Sequence, residues 1–260
     1  MGRQFDNKAA VVTGAASGIG RAGALAFARE GAQVLVTTGS NVAGGEETVR
    51  LIKEAGGEAS FLKCDVSIED DVQAMVETCL DRYGRLDFAF NNAGVGPDGR
   101  RIPFFHMVDM PKDTWDHTLG VNLTGAFLCM KHELKHMIAQ GSGVIVNTSS
   151  VHPLKPKPGS CAYNASKSGL NGITRTAALE AAPYNVRVNT IMPGPTEGTL
   201  LVDYLTAAHP ERRADMEQVV PLPRLGNTGD MAQTLIWLCS DAASFITGQC
   251  LAVDGGLTAR

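Results

Sequence analysis

Three observations predict an α/β fold: a parallel sheet with helices on both faces. Short apolar runs alternate with helical stretches from end to end of the chain. The runs are continuous in Val, Ile and Leu, the signature of strands buried on both faces. A glycine-rich turn, Gly14-Ala15-Ala16-Ser17-Gly18-Ile19-Gly20, joins the first run to the first helix, where a βαβ unit places such a turn. Strands that alternate with helices imply parallel pairing.

Lys8–Thr13 reads as the first buried strand, and Gly18–Glu30 as a helix closed by Gly31. Gln33–Thr37 is a second strand, followed by a helix over Val42–Ala55 that ends at Gly56-Gly57. Ala59–Lys63 and Leu86–Phe90 are strands flanking a helix over Ile68–Tyr83. One long helix is expected over Trp115–Ala139, then a strand over Gly143–Thr148. Cys161–Ala181 forms a helix ended by Pro183, followed by a strand over Val186–Ile191. A helix over Asp230–Ser240 and a short strand over Cys250–Val253 complete the pattern.

The 260 residues approach the upper size for one hydrophobic core, and no linker or internal repeat divides them. One domain over residues 1–260 is expected. At 44% hydrophobic and 19% charged, the chain has an ordinary globular composition. A net charge of −4, with no basic tract, gives no footprint for nucleic acid. Nothing approaches the apolar run of ~18 residues that a membrane helix needs. The N-terminal residues lack a signal-peptide apolar region, so the cytoplasm is the expected location. The six cysteines show no Cys-x-x-Cys spacing, so neither a metal site nor disulfides are expected.

Two motifs carry chemistry. The amides of a helix N-terminus and its positive dipole end suit a pyrophosphate, and the spacing at Gly14, Gly18 and Gly20 lets backbone approach a ligand. Tyr163 and Lys167, four residues apart, share one helix face. A nearby ammonium favours a phenolate, and a Tyr so tuned can exchange a proton with an alcohol.

With Cys64-Asp65-Val66, Asn91-Asn92-Ala93-Gly94, Asn122, Ser150 and Pro193-Gly194 in this order, nearly the whole chain resembles the short-chain dehydrogenase/reductase family in its short, single-domain form. The resemblance implies a three-layer, Rossmann-like doubly wound fold with a seven-stranded parallel sheet, assembled as a tetramer or dimer. It also implies hydride transfer between NAD(P) and a secondary alcohol or ketone. Tyr163 would be the acid/base. Lys167 would lower its pKa and bond the nicotinamide ribose. Ser150, thirteen residues before Tyr163, would hold the substrate oxygen in preference to Ser149. Asn122 would hold a water leading from Lys167 to solvent.

For the cofactor, the resemblance assigns Gly14, Ser17, Gly18, Ile19 and Gly20 to the phosphates and Asp65 and Val66 to the adenine. Asn92 falls near the adenosine ribose and Thr196 near the carboxamide, with Thr199 as a substitute because Gly198 stands where Thr is common. NAD-preferring relatives typically place Asp where Thr38 stands; here Thr38, Ser40 and Asn41 could donate to a 2′-phosphate. NADP(H) is favoured, with NAD(H) as the second option.

Substrate would be bounded by the loop Val95–Met110, which holds Arg100, Arg101, Phe104 and Phe105. The proline-stiffened segment after Ser150 and a lid over about residues 196–223 would complete the pocket. His152 is expected to line the pocket or serve structure. Cys161 is expected to pack, and Phe104 and Phe105 to contact the core or another subunit. The competing reading is a catalytically idle dinucleotide-binding sensor or scaffold; an intact Asn122, Ser150, Tyr163, Lys167 set favours the enzyme.

Overall fold

The computed structural model describes residues 3–98, 102–208 and 211–260. Its strands are β1 (Ala9–Val12), β2 (Gln33–Thr38), β3 (Ala59–Lys63), β4 (Phe88–Asn91), β5 (Gly143–Thr148), β6 (Val186–Pro193), β7 (Thr196–Glu197), β8 (Gly226–Asn227) and β9 (Cys250–Val253). Seven form one sheet in the order β3-β2-β1-β4-β5-β6-β9, and every neighbouring pair is parallel. β7 and β8 pair separately. The helices are α1 (Gly18–Arg29), α2 (Val42–Glu54), α3 (Glu69–Tyr83), α4 (Lys112–Leu119), α5 (Gly125–Gln140), α6 (Cys161–Ala181), α7 (Leu200–Ala208), α8 (Glu211–Val219) and α9 (Thr228–Cys239).

The two-sided burial read from the strands is visible residue by residue. Ala10, Val12, Phe88, Phe90, Val144 and Val146 join the core under α1, α2 and α9. Their neighbours Ala9, Val11, Ala89 and Ile145 join the core under α3, α5 and α6. Side chains alternate across a strand, so a strand with both faces covered must be apolar throughout. The chain crosses from β3 at one edge back over β2 and β1 to β4. The strand order reverses there, opening a crevice at the carboxyl ends of β1 and β4, the usual ligand position in such sheets.

The long middle helix is continuous from Lys112 to Gln140 but is not regular throughout. α4 and α5 are separated by a π-helical turn, Gly120–Thr124, in which Gly125 N–H reaches back to Gly120 O. Asn122 lies within this turn, and its side chain pairs with backbone rather than pointing to solvent. Its Oδ1 accepts from Val95 N–H and its Nδ2 donates to Val95 O, both at 2.7 Å. β7, α7 and α8 occupy most of the segment read as a lid, and β8 follows just beyond it.

A buried polar network runs beneath the crevice. Asn91 Nδ2 donates to Glu133 Oε2 at 2.9 Å and to Asn147 Oδ1 at 3.1 Å, and Asn147 Nδ2 donates to Thr174 Oγ1 at 2.9 Å. Glu133 is fully buried, and burial pushes its carboxyl up to about 8 against the opposing hydrogen bond from Asn91. Because the folded-state pKa is raised, the stabilisation from this proton is complete below the ordinary carboxyl value and is lost as pH rises through about 8. Thermal unfolding followed from mildly acidic to mildly alkaline pH should therefore show the wild type losing stability relative to Glu133→Gln. Parallel curves for the two proteins would mean that Glu133 is already ionised in the fold.

Candidate active site

Hydrogen bonds hold the turn after β1 in place before any ligand is considered. Thr13 Oγ1 accepts from the backbone N–H groups of Asn92 and Ala93, both at 3.0 Å. Asn92 Nδ2 donates to Thr13 O at 3.3 Å and Gly14 O at 3.4 Å, while its Oδ1 accepts from Thr148 Oγ1 at 3.3 Å. The Asn92 side chain thus ties the ends of β1, β4 and β5 together, beyond the ribose contact expected of it. Gly14 has φ +64, and a Cβ there would lie 2.8 Å from Ala93 Cα. A Cβ on Gly20 would run into Gly14 O. These two glycines let the turn lie tight against its neighbours.

α1 starts with Ser17 at its N-cap in an extended conformation, and the Ser17 side chain makes no cap hydrogen bond. The first-turn amides at Gly18, Ile19 and Gly20 therefore remain without a side-chain acceptor, as a bound pyrophosphate requires. At the end of β2, Thr38 is buried and Ser40 exposed. Asn41 caps α2, its Oδ1 accepting from Gly44 N–H at 3.0 Å, which leaves its amide nitrogen as the available donor. Asp65 Oδ1 accepts from Ser67 N–H at 3.0 Å and Ser67 Oγ at 2.7 Å, so its carboxylate shapes the β3–α3 turn, and Val66 is buried beside it.

The carboxyl end of β5 separates the two candidate serines. Ser149 Oγ donates to Lys167 O at 3.1 Å, facing into α6. Ser150 Oγ instead lies 3.0 Å from His152 Nδ1 and acts on Tyr163, pulling its pKa down. Lys167 is buried, its Nζ donating to Thr148 O at 2.7 Å and sitting 5.8 Å from the Tyr163 ring centre. Asn122 Nδ2 also donates to Ser166 Oγ at 3.1 Å. A Cβ on Gly94 would be 3.2 Å from Asn122 Oδ1 and 3.4 Å from Lys167 Nζ. Asn122, Ser150, Tyr163 and Lys167 are thus brought together from π turn, strand end and helix.

Electrostatics depart from the simple pairing read from the sequence. Burial raises the Tyr163 pKa, and the Ser150 hydrogen bond pulls against that rise. Lys167 Nζ lies 5.8 Å from the centre of the Tyr163 ring. Its own charge is disfavoured by burial, which brings it down to about 8, and one of its three N–H donors is committed to Thr148.

The rim contains groups that sequence reasoning undervalued. Gly96 lies flat on the Tyr163 ring: a Cβ there would be 3.0 Å from Cδ2 and 3.1 Å from Cε2. The only signal for it was a second glycine after the Asn91–Gly94 motif. The Thr196 hydroxyl is buried and donates to Gly194 O at 2.9 Å. Thr199 is the one beside the phosphate turn, with its Cα 3.8 Å from the position of a Cβ on Gly18. Phe104 is half exposed, and Phe105 forms a parallel bridge with Ser160. Cys161 is a partly buried free thiol. Arg100 and Arg101 lie outside the described residues. Among the described residues, no cluster of His, Cys, Asp and Glu is arranged to hold a metal.

The family model described as "Enoyl-(Acyl carrier protein) reductase" matches residues 14–258. A cis-4-hydroxycyclohexanecarboxylate dehydrogenase of Sinomonas cyclohexanicum is 40% identical, covering 100% of both chains. A short chain dehydrogenase/reductase of Aspergillus oryzae is 38% identical over 98% of this chain and 96% of its own. The crystal structure of an NAD+-bound xylitol dehydrogenase superposes with a TM-score of 0.90 at 34% identity, covering 97% of this chain and 100% of its own.

The contact between Gly96 and Tyr163 can be tested by adding one methyl group. Gly96→Ala should press on the Tyr163 ring and lower turnover by about tenfold, since small misplacements at a reacting centre are costly. Nucleotide affinity, measured by fluorescence titration, should change little. Undiminished turnover in a folded variant would show that the ring yields without consequence.

Proposed function

This chain belongs to the short-chain dehydrogenase/reductase family, and from that premise we propose that Tyr163 is the general acid/base of its reaction. The protein is an NAD(P)-dependent oxidoreductase acting on CH–OH and C=O groups. The observation that carries the residue assignment is the convergence of Ser150, Tyr163 and Lys167 at the carboxyl end of β5, with Asn122 braced behind them.

A nicotinamide dinucleotide fits the residues present. The uncapped start of α1 and the close-packed glycines Gly14 and Gly20 make a cradle for its pyrophosphate. The two remaining N–H donors of Lys167 suit ribose hydroxyls. When bound, the nicotinamide carries the hydride and, oxidised, adds a positive charge that favours the Tyr163 phenolate. In reduction, Ser150 and Tyr163 donate hydrogen bonds to the carbonyl oxygen as negative charge builds on it, and the Tyr163 proton passes to that oxygen. In oxidation, the Tyr163 phenolate takes the hydroxyl proton. Oxidation should therefore quicken as pH rises through the Tyr163 pKa, and reduction should slow.

The finer assignments belong to the same proposal. NADP(H) is the preferred cofactor, because Thr38 is neutral where an acid would repel a 2′-phosphate, and Ser40 and Asn41 offer donors at the crevice rim. Thr196 and Thr199 border the nicotinamide side, with Asp65 and Val66 at the adenine. The protein works as a cytoplasmic homo-oligomer, a tetramer or dimer; exposed Phe127 on α5 and Leu179 on α6 support self-association. No described helix is long and apolar enough to cross a membrane.

Tyr163→Phe should abolish carbonyl reduction, read by nicotinamide absorbance, while nucleotide binding survives. More than a few per cent of wild-type rate would remove Tyr163 from the acid/base role. A substrate panel should start from a hydroxycyclohexanecarboxylate and a polyol, the kinds of alcohol in the names of two similar proteins. Measured with each cofactor, kcat/KM should be higher for NADP(H), and a preference for NAD(H) above about tenfold, ~1.4 kcal/mol, would overturn that assignment.

A further inference from the structure

Ser150 can serve as a donor only if its single proton points the right way, and His152 bears on that. A serine hydroxyl has one proton and two lone pairs. The His152 backbone N–H donates to Ser150 Oγ at 3.2 Å, and His152 Nδ1 lies 3.0 Å from the same oxygen. If Nδ1 carries the imidazole proton, it fills the second lone pair, and the Ser150 proton is left free for Tyr163 or, with substrate bound, for the reacting oxygen. If Nε2 carries it, Nδ1 becomes an acceptor and draws the Ser150 proton away.

We propose that His152, as its Nδ1–H tautomer, is a positioning residue that fixes Ser150 as a hydrogen-bond donor, to Tyr163 in the free enzyme and to the reacting oxygen when substrate is bound. The inference rests on the reading of Tyr163 as acid/base. The imidazole is held where this requires. Its ring meets the Tyr163 ring edge-on, with centres 5.2 Å apart and planes at 87°. The surrounding turn is pinned by Val151 N–H to Pro193 O at 3.2 Å and by Leu154 N–H to Val151 O at 2.9 Å.

Charge does not complicate the tautomer choice near neutrality. Burial, helped by the nearby Lys157 ammonium, brings His152 down to about 4, so the ring is neutral there. Lys157 comes from its own loop, and Tyr163 and Lys167 face the cluster from α6. The Ser150 hydrogen bond acts to lower the Tyr163 pKa. Loss of the constraint on Ser150 therefore raises it.

The test compares His152→Leu and His152→Asn, each alone and combined with Ser150→Ala, in the full-length protein. His152→Leu should cut kcat for alcohol oxidation about tenfold, the worth of one hydrogen bond. It should move the rising limb of the pH–rate profile to higher pH with little change in nucleotide Kd. In the Ser150→Ala background the same substitution should change neither, because its effect runs through Ser150. His152→Asn, which keeps a short N–H donor, should restore most of the rate and the profile.

A folded His152→Leu with wild-type kcat and pH profile overturns the inference, as does an equal loss in both backgrounds. If the Leu variant fails to fold, His152→Asn decides: a near-wild-type profile supports the inference, and a loss persisting in Ser150→Ala overturns it. Tyr163→Phe separates the two levels. If that variant is inactive while His152→Leu is normal, only the His152 role falls. If Tyr163→Phe stays active, the acid/base reading falls and this inference with it.

Discussion

An ammonium group buried at the end of the sheet sets the terms for the whole site. Lys167 lies inside the protein with Nζ bonded to the Thr148 carbonyl. A buried charge is tolerated only when it is hydrogen-bonded, so this contact ties the register of α6 to the last residue of β5. Once that register is set, Tyr163, one turn earlier on α6, must face Ser150, two residues past Thr148. Ser149, whose hydroxyl donates to the Lys167 carbonyl, locks the same pair of elements a second time.

The rest of the architecture keeps that junction open to a ligand on one side and closed on the other. The strand order reverses beside β1, so the chain leaving the carboxyl end of β1 and the chain leaving that of β4 pass to opposite faces of the sheet. Thr13 and Asn92 then brace those ends with hydrogen bonds among themselves and to Thr148. Asn122 closes the back, pairing with the backbone N–H and C=O of Val95. That amide sits in the π turn from Gly120 to Thr124. Such bulges are frequent at functional sites.

Much of the fold was legible from Val, Ile and Leu runs and glycine stops, because burial on both faces leaves a plain mark on a strand. Ala59–Lys63, Gly143–Thr148 and Cys250–Val253 occupy the ranges expected of them, and Gly31 and Gly56 end their helices with positive φ. The irregular turn at Gly120 was not legible. A π turn keeps nearly helical periodicity, and the partner of its Asn122 lies 27 residues away in the chain. Nor was the direction of the Tyr163 shift. Spacing shows that Lys167 shares a helix face with Tyr163, but not that burial opposes charge on both groups.

By itself the sequence determined which residue types meet which backbone ends: a glycine turn after the first strand, a Ser-Ser pair after the fifth, and Tyr and Lys one turn apart on a helix. Those are local facts, encoded within a few residues. Only the tertiary structure decided which serine faces Tyr163, which threonine approaches Gly18, and that His152 and Gly96 contact the same ring. Each of those depends on distances between segments far apart in the chain. Packing fixes such distances through the summed burial of both cores, and no single stretch of sequence records them.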